Sequence, residues 1–459
     1  MPPPLPPPSG PYRIGCHTTM IDGTPTTIFY PASPSAPTAP RPRWLGDPQL
    51  KALGRAQLGD KLGCECCGVC LMTCLGGCAT GWLRLPAEEG LPALTPPDSH
   101  PDGWPVALFT HSLTGWAYHN SAHLLEICSH GAVVIALTHT DGTACTATDL
   151  ETGKEIARYI DWETEKVPEI AAKHEGTYET SPAFKAEVHG WRHGQVDHRY
   201  QQMASVLAGA NDALDRAGVT TSSDSDTNTP SRPASTFARV EREVAVLGMS
   251  FGGASATAFS KRDPLGRVAH LFLLDPWIDG KDEESMLPMT YEEFSKPFNP
   301  TLKTVVCWRN KGSALWGSCG PNCETLADKV KEMTGDSGSA VLHDLPEPHS
   351  HFAQTDVPSV FENGPLACVY SALFGGGETP AGQMSSREVL ALSVEQTVEC
   401  LEANGWFPPK QPVGVAAGAP PPVTKQPLAT PAAMEQAKDE GMAGAGAAGE
   451  EEVRAPSSV

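Results

Sequence analysis

The chain has 459 residues, of which 40 % are hydrophobic and 19 % charged, and its formal net charge is −21. That length is enough for one large domain or two to three ordinary ones, each with a sizeable core. The acidic balance leaves no basic stripe to neutralise phosphates, which excludes nucleic-acid binding.

The first residues, Met1-Pro2-Pro3-Pro4-Leu5-Pro6-Pro7-Pro8, begin a proline-rich leader (1–10) with neither the basic nor the apolar region of a secretory signal. No run reaches the length of a membrane-spanning helix. Fourteen cysteines in a chain of this kind read as thiols rather than a disulfide framework. The expected compartment is the cytoplasm.

From 11 to 407 strand-like and helix-like runs alternate. The expected strands are Thr26–Tyr30, Val106–Thr110, Ala132–Leu137, Val244–Leu247, Leu271–Leu274 and Lys303–Trp308. The expected helices are Ser121–Ser129, Val196–Arg216, Ala254–Lys261, Glu324–Met333 and Arg387–Ala403. Apolar strands alternating with helices predict the α/β class, with a mostly parallel central sheet covered on both faces, in one catalytic domain. Three segments interrupt this pattern. An insert over 64–78 holds six cysteines (Cys64, Cys66, Cys67, Cys70, Cys74, Cys78) but lacks two separated Cys-x2-Cys pairs and a nearby histidine, so no metal is expected. Glu151–Ser181 is charged and aperiodic, a lid or a surface excursion. Thr220–Thr236 is too polar to bury anything and reads as a disordered loop, and 408–459 reads as a disordered acidic Pro/Ala/Gly tail.

The most informative run is Val244-Ala245-Val246-Leu247-Gly248-Met249-Ser250-Phe251-Gly252-Gly253. A buried strand, a Gly-x-Ser-x-Gly turn and a small-residue helix follow one another, the context in which a serine becomes a nucleophile. Such a serine needs a base, and the base needs an acid to hold its tautomer. Ala269-His270-Leu271-Phe272-Leu273-Leu274-Asp275 is a strand pattern ending in an acid, so Asp275 is the expected orienting carboxylate, with Asp279 as its rival past the strand end. His270 opens that strand and His343 belongs to the strand-like run Ser339–Leu342, which leaves the loop holding His349 and His351 for the base; periodicity does not separate the two. The oxyanion donors are expected to be the Phe251 amide and the Leu113 amide of Phe109-Thr110-His111-Ser112-Leu113-Thr114-Gly115. Trp191-Arg192-His193 and Asp197-His198-Arg199 are expected to start a helix near the active-site face, with Arg199 in a structural ion pair rather than bound to phosphate.

These residues resemble the platelet-activating factor acetylhydrolases of the plasma and intracellular type II kind, serine-dependent phospholipases A2 of the α/β-hydrolase superfamily. The likeness is spread over most of residues 10–375. Gly10-Pro11-Tyr12-Arg13-Ile14-Gly15-Cys16 and Ile28-Phe29-Tyr30-Pro31 are similar to the family's opening strands. Phe109-Thr110-His111-Ser112-Leu113 resembles its oxyanion segment, and Ser129-His130-Gly131 with His139-Thr140-Asp141 its second strand unit. Gly248–Gly253 resembles its nucleophile elbow and Leu274-Asp275-Pro276-Trp277 its acid loop. His349-Ser350-His351-Phe352-Ala353 is similar to a family pattern in which Phe-Ala follows the base by three residues, which selects His349. Two positions depart from the family: Met249 where His is usual, and Ser112 where Gly is usual. Serine at 112 would be strained if that backbone needs positive φ.

The resemblance implies a calcium-independent serine esterase without cofactor, acting on the sn-2 acetyl, short or oxidised acyl ester of a phospholipid. It also implies that the Cys-rich region corresponds to an apolar membrane-docking helix, with Val69, Leu71, Met72, Leu75 and Trp82 as its patch, peripheral membrane contact through 64–82 and the cysteines as candidates for S-acylation. The competing readings are a generic carboxylesterase or polyester hydrolase of the same fold, and a catalytically inactive membrane-associated binding protein.

Overall fold

The computed structural model describes residues 5, 7–55, 64–176, 180–219, 237–278, 297–309, 328, 339–345, 354–357 and 384–409. All of them belong to one compact unit, Met1–Pro409. The expected helix over 324–333, apart from helical Asp328, and the segments expected to be disordered at 220–236 and beyond Pro409 lie outside the described residues.

β1 (Arg13–Ile21) and β2 (Thr24–Ala32) form an antiparallel hairpin. Its two-residue turn, Asp22-Gly23, takes positive φ at both positions (46° and 72°), which Asp-Gly adopts readily. The two-residue β3 (Glu88–Glu89) joins the edge at β1. Beyond β2 come β5 (Val133–Leu137), β4 (Val106–Thr110), β8 (Val244–Met249), β9 (Val268–Leu274), β10 (Thr304–Arg309) and β11 (Ser339–Asp344). The nine run in the order β11-β10-β9-β8-β4-β5-β2-β1-β3, and every pair from β11 to β5 is parallel. A separate hairpin pairs β6 (Thr146–Thr148), just before the charged insertion, with β7 (Glu155–Arg158) inside it.

The central strands are buried throughout, as expected where both faces are covered. Alternate residues feed two cores. Val106, Leu108, Val133 and Ile135 pack with Val196, Met203, Val206 and Leu207 of α6 (Pro182–Arg216) and with Phe259 of α7 (Phe251–Arg262). Ala107, Phe109, Val134 and Ala136 pack with Leu50 of α1 (Asp47–Leu53), Leu124 and Ile127 of α4 (Ser121–Ser129) and Leu401 of α8 (Ser386–Ala403). The period of two along each strand thus assigns each residue to one core or the other. The expected α/β-hydrolase architecture is the one found.

α6 starts at Pro182, well before the expected Val196, behind the N-cap Ser181, whose hydroxyl accepts from the Phe184 amide at 3.4 Å. The stretch before Val196 shows little apolar periodicity because Phe184 and Val188 are the apolar residues buried there, against Ile170 of α5 (Val167–Ala171). Trp191–His193 and Asp197–Arg199 therefore lie mid-helix rather than at its start. The leader's end is docked: the Gly10 amide donates to Ser129 Oγ at 3.0 Å and Leu5 is buried against the second core.

Candidate active site

Ser250 stands between β8 and α7 with φ 54° and ψ −118°, a conformation that side-chain-bearing residues rarely adopt. Three backbone hydrogen bonds hold it there. Its amide donates to the Leu274 carbonyl at 3.0 Å, and its own carbonyl accepts from the Gly253 and Trp277 amides at 2.8 and 2.9 Å. The glycines around it answer to close approach. A Cβ on Gly252 would lie 2.1 Å from the Thr110 carbonyl oxygen, one on Gly253 2.4 Å from Pro276 Cβ, and one on Gly248 2.3 Å from the Gly252 oxygen. Helix α7 can pass beside β4 and β9 only without those side chains.

Met249 pairs with Leu274 in the sheet, so Ser250 and Asp275 are the next residues beyond the C-terminal tips of two adjacent parallel strands. Asp275 also has positive φ (41°), and its amide donates to the Trp308 carbonyl of β10 at 2.8 Å. Both residues are almost fully buried. Ligand sites in open parallel sheets form at such strand ends. Met249 is enclosed among apolar residues of the second core.

Phe251 is the first residue of α7, where an amide has no intrahelical acceptor. Leu113 lies in the loop after β4, next to β8 in the sheet. That loop is fixed at Thr114, whose amide donates to the Thr143 carbonyl at 2.7 Å and whose φ is 56°. The left-handed residue is thus Thr114, not Ser112, so the strain anticipated for serine at 112 falls two residues later. Ser112 Oγ instead donates to the Leu113 carbonyl at 3.1 Å.

Beneath the loop lies a buried polar cluster built on Arg199, which stands in the structural ion pair expected of it. Its Nε donates to Asp141 at 3.0 Å and its Nη1 to the His111 carbonyl at 2.6 Å, with both members of the ion pair enclosed. His111 Nε2 accepts from the His139 amide at 3.0 Å, so its Nδ1 carries the proton and donates to the Ser112 carbonyl at 2.7 Å. Burial first, and then the Arg199 charge, hold His111 and His139 neutral, well below the ordinary histidine range.

His349, His351 and Asp279 lie outside the described residues. The chain just after the histidine loop is tied down by Asp356, which patterning missed. The buried carboxylate accepts from the amides of Ser121 at 2.7 Å and Ala122 at 3.0 Å, from Trp44 Nε1 at 3.0 Å and from the Ser121 hydroxyl. It therefore satisfies amides in the first turn of α4, while burial pushes its pKa up to about 6.

In the Cys-rich insert, α2 (Glu65–Leu71), a π-helical turn (Met72–Gly76) and α3 (Gly77–Thr80) follow one another. Cys66, Cys67, Cys70 and Cys74 are exposed, as are Leu71 and Trp82, whereas Met72 is buried in the core rather than part of an outer patch. The sulfurs of Cys64, Cys66 and Cys67 lie within 4.8 Å of one another. Among the described residues no helix is long and apolar enough to cross a membrane.

Solved structures with a distant likeness include a ferulic acid esterase from Streptomyces cinnamoneus (17 % identity, 88 % of this chain and 94 % of that one, TM-score 0.48). A dienelactone hydrolase-like promiscuous phosphotriesterase from metagenomic libraries shares 13 % identity over 86 % of this chain and all of that one (100 %), with TM-score 0.38. The profile of the family described as platelet-activating factor acetylhydrolase, isoform II, matches residues 3–308. The elbow at Ser250, the acid at the neighbouring strand tip and the loop after β4 all fall within that span, and the chain belongs to this family of α/β-hydrolases.

Proposed function

We propose that the protein is a calcium-independent serine esterase that hydrolyses the sn-2 acetyl, short or oxidised acyl ester of platelet-activating-factor-like phospholipids. Ser250 Oγ attacks the ester carbonyl as His349 takes its proton, and Asp275 orients and stabilises the resulting imidazolium. The Leu113 and Phe251 amides receive the oxyanion. The carbonyl–alkoxy bond then breaks, His349 returns its proton to the departing lysophospholipid oxygen, and water cleaves the acyl-serine with the same base. The observation that carries this reading is the left-handed Ser250 turn beside Asp275, a strained conformation held by three backbone hydrogen bonds. Family membership supports ester hydrolysis, and the likeness of His349-Ser350-His351-Phe352-Ala353 to the family pattern supports His349 as the base. The exposed thiols together with Leu71 and Trp82 support peripheral membrane contact through 64–82.

A fluorophosphonate probe tests the chemistry: an adduct on Ser250 that is absent from His349→Gln, and present in His351→Gln, is expected. Release of acetate outpacing release of palmitate from matched phosphatidylcholines is expected next. A folded protein that takes no label overturns the esterase reading, and equal rates for both chains would reduce it to a general carboxylesterase.

A further inference from the structure

Arg192 is a buried cation that no carboxylate among the described residues contacts directly. It is 4 % exposed, and its guanidinium carbon lies 4.1 Å from the Trp191 ring centre, 5.4 Å from that of Trp277 and 5.7 Å from that of Phe251. Trp277 and Phe251 belong to the two segments that flank the nucleophile, and their rings meet edge to face at 5.8 Å. Of its five N–H donors, one is used toward a described side chain, Nη1 to Gln195 Oε1 at 3.0 Å. Gln195 in turn donates to the Asp141 carbonyl at 3.1 Å.

The carboxylates nearby are engaged elsewhere. Asp141 accepts from Arg199 Nε at 3.0 Å and from the Thr143 amide at 3.1 Å. Asp161 accepts from the amide and hydroxyl of Thr164 at 2.8 and 2.9 Å. Among the described residues Arg192 pairs with no carboxylate. Burial lowers its pKa only to about 10, so it remains cationic at neutral pH. A desolvated guanidinium with free donors and aromatic walls is an unsatisfied arrangement in the empty protein, and an anionic oxygen group would complete it bidentately.

We propose that Arg192 binds an anionic oxygen group carried by the ester substrate, either the phosphodiester on the alcohol side or a carboxylate ending an oxidised acyl chain. Arg199, two turns further along the same face of α6, is fully committed to Asp141 and to the loop carbonyl of His111. The two buried arginines thus divide the work: one builds the loop and the other reads the substrate's charge. Arg192 would act through affinity for the charged group and not through the proton transfers. The proposal rests on the esterase reading of the same site.

Three p-nitrophenyl or phospholipid substrates separate the cases: a neutral p-nitrophenyl acetate, a p-nitrophenyl hemiglutarate with its terminal carboxylate, and a soluble short-chain sn-2 phosphatidylcholine. Arg192→Gln is expected to lose about 30-fold or more in kcat/KM, mostly through KM, on one or both anionic substrates, and less than about 3-fold on the neutral ester. Which anionic substrate suffers identifies the group read. Equal losses on all three, or none on any, overturn the proposal. Binding of hexyl phosphate, followed by calorimetry against hexanol, needs no turnover. Hexyl phosphate binding to wild type but not to Arg192→Gln supports the proposal even in a protein that no fluorophosphonate labels, and equal binding of the two compounds overturns it. Should Arg192→Gln fail to fold, Arg192→Lys, which keeps the charge and loses the fork, is expected to retain neutral-ester turnover and weaken hexyl phosphate; unchanged hexyl phosphate affinity counts against bidentate recognition.

Discussion

Arg199 reaches from the middle of α6 to the carbonyl oxygen of His111, donating from Nη1 at 2.6 Å, while Nε holds Asp141 at 3.0 Å. The loop that carries Leu113 is thereby anchored by a buried cation rather than by apolar packing alone. Arg199→Met leaves Asp141 as an uncompensated buried charge and should lower stability by about 3–5 kcal/mol in urea denaturation. Adding Asp141→Asn should recover part of that loss, because the two substitutions remove one interaction. Additive losses would show that the pair is not coupled.

Ser250→Ala should lower ester hydrolysis by about four to six orders of magnitude with little change in fold. Ser250→Gly should be equally inactive yet more stable than Ser250→Ala by about 1 kcal/mol, because only glycine occupies φ 54° without strain. Thermal melts of the two variants side by side decide this.

The glycines divide into two kinds. Gly252→Ala would set a methyl group 2.1 Å from the Thr110 oxygen, a backbone atom that cannot swing away, and should destabilise by about 1–3 kcal/mol. Gly190 and Gly194, exposed on α6, have open space where a Cβ would go. Gly190→Ala and Gly194→Ala should each stabilise by about 0.5–1 kcal/mol in the same assay.

Acid should unfold the protein through its buried histidines. Burial lowers His123 to about 3 and His270 to about 4. Their folded-state values lie below the unfolded value of about 6.5, so the unfolded chain binds protons first as pH falls. Their contribution is complete above about pH 6.5 and is lost between there and pH 3–4. Asp356, raised to about 6, has the opposite sign and partly offsets this between about pH 6 and 4. Denaturant midpoints against pH should therefore fall below pH 6.5, and His123→Gln should flatten the fall.

Replacing Cys64, Cys66, Cys67, Cys70, Cys74 and Cys78 with serine should reduce recovery with floated phosphatidylcholine vesicles while leaving hydrolysis of a soluble ester unchanged. Equal flotation of both proteins would remove the insert from any membrane role.

Much of the architecture is legible in the residues. Val106–Thr110 and Ser121–Ser129 lie where their patterns place them, because a buried strand and a short amphipathic helix each write their period into the chain. The stretch of α6 before Val196 is not legible, since its apolar burial is limited to Phe184 and Val188 against Ile170. Asp22-Gly23 was a readable hairpin turn that the strand pattern alone left unmarked. Asp356 gave no signal, and Arg192 was marked only by its place in the segment Trp191–His193, because a buried charge is defined by what surrounds it.

By itself the sequence determined the strand–turn–helix unit at Ser250, the acid at the end of the next strand and the family to which these belong, all local patterns of residue type and spacing. Only the tertiary structure decided that Thr114 rather than Ser112 takes the left-handed turn, that Arg199 holds the His111 carbonyl as well as the ion pair expected of it, and that Arg192 is buried among Trp191, Phe251 and Trp277 with no carboxylate paired to it among the described residues. Those outcomes depend on which groups the sheet order brings together, and desolvation turns such proximity into chemistry.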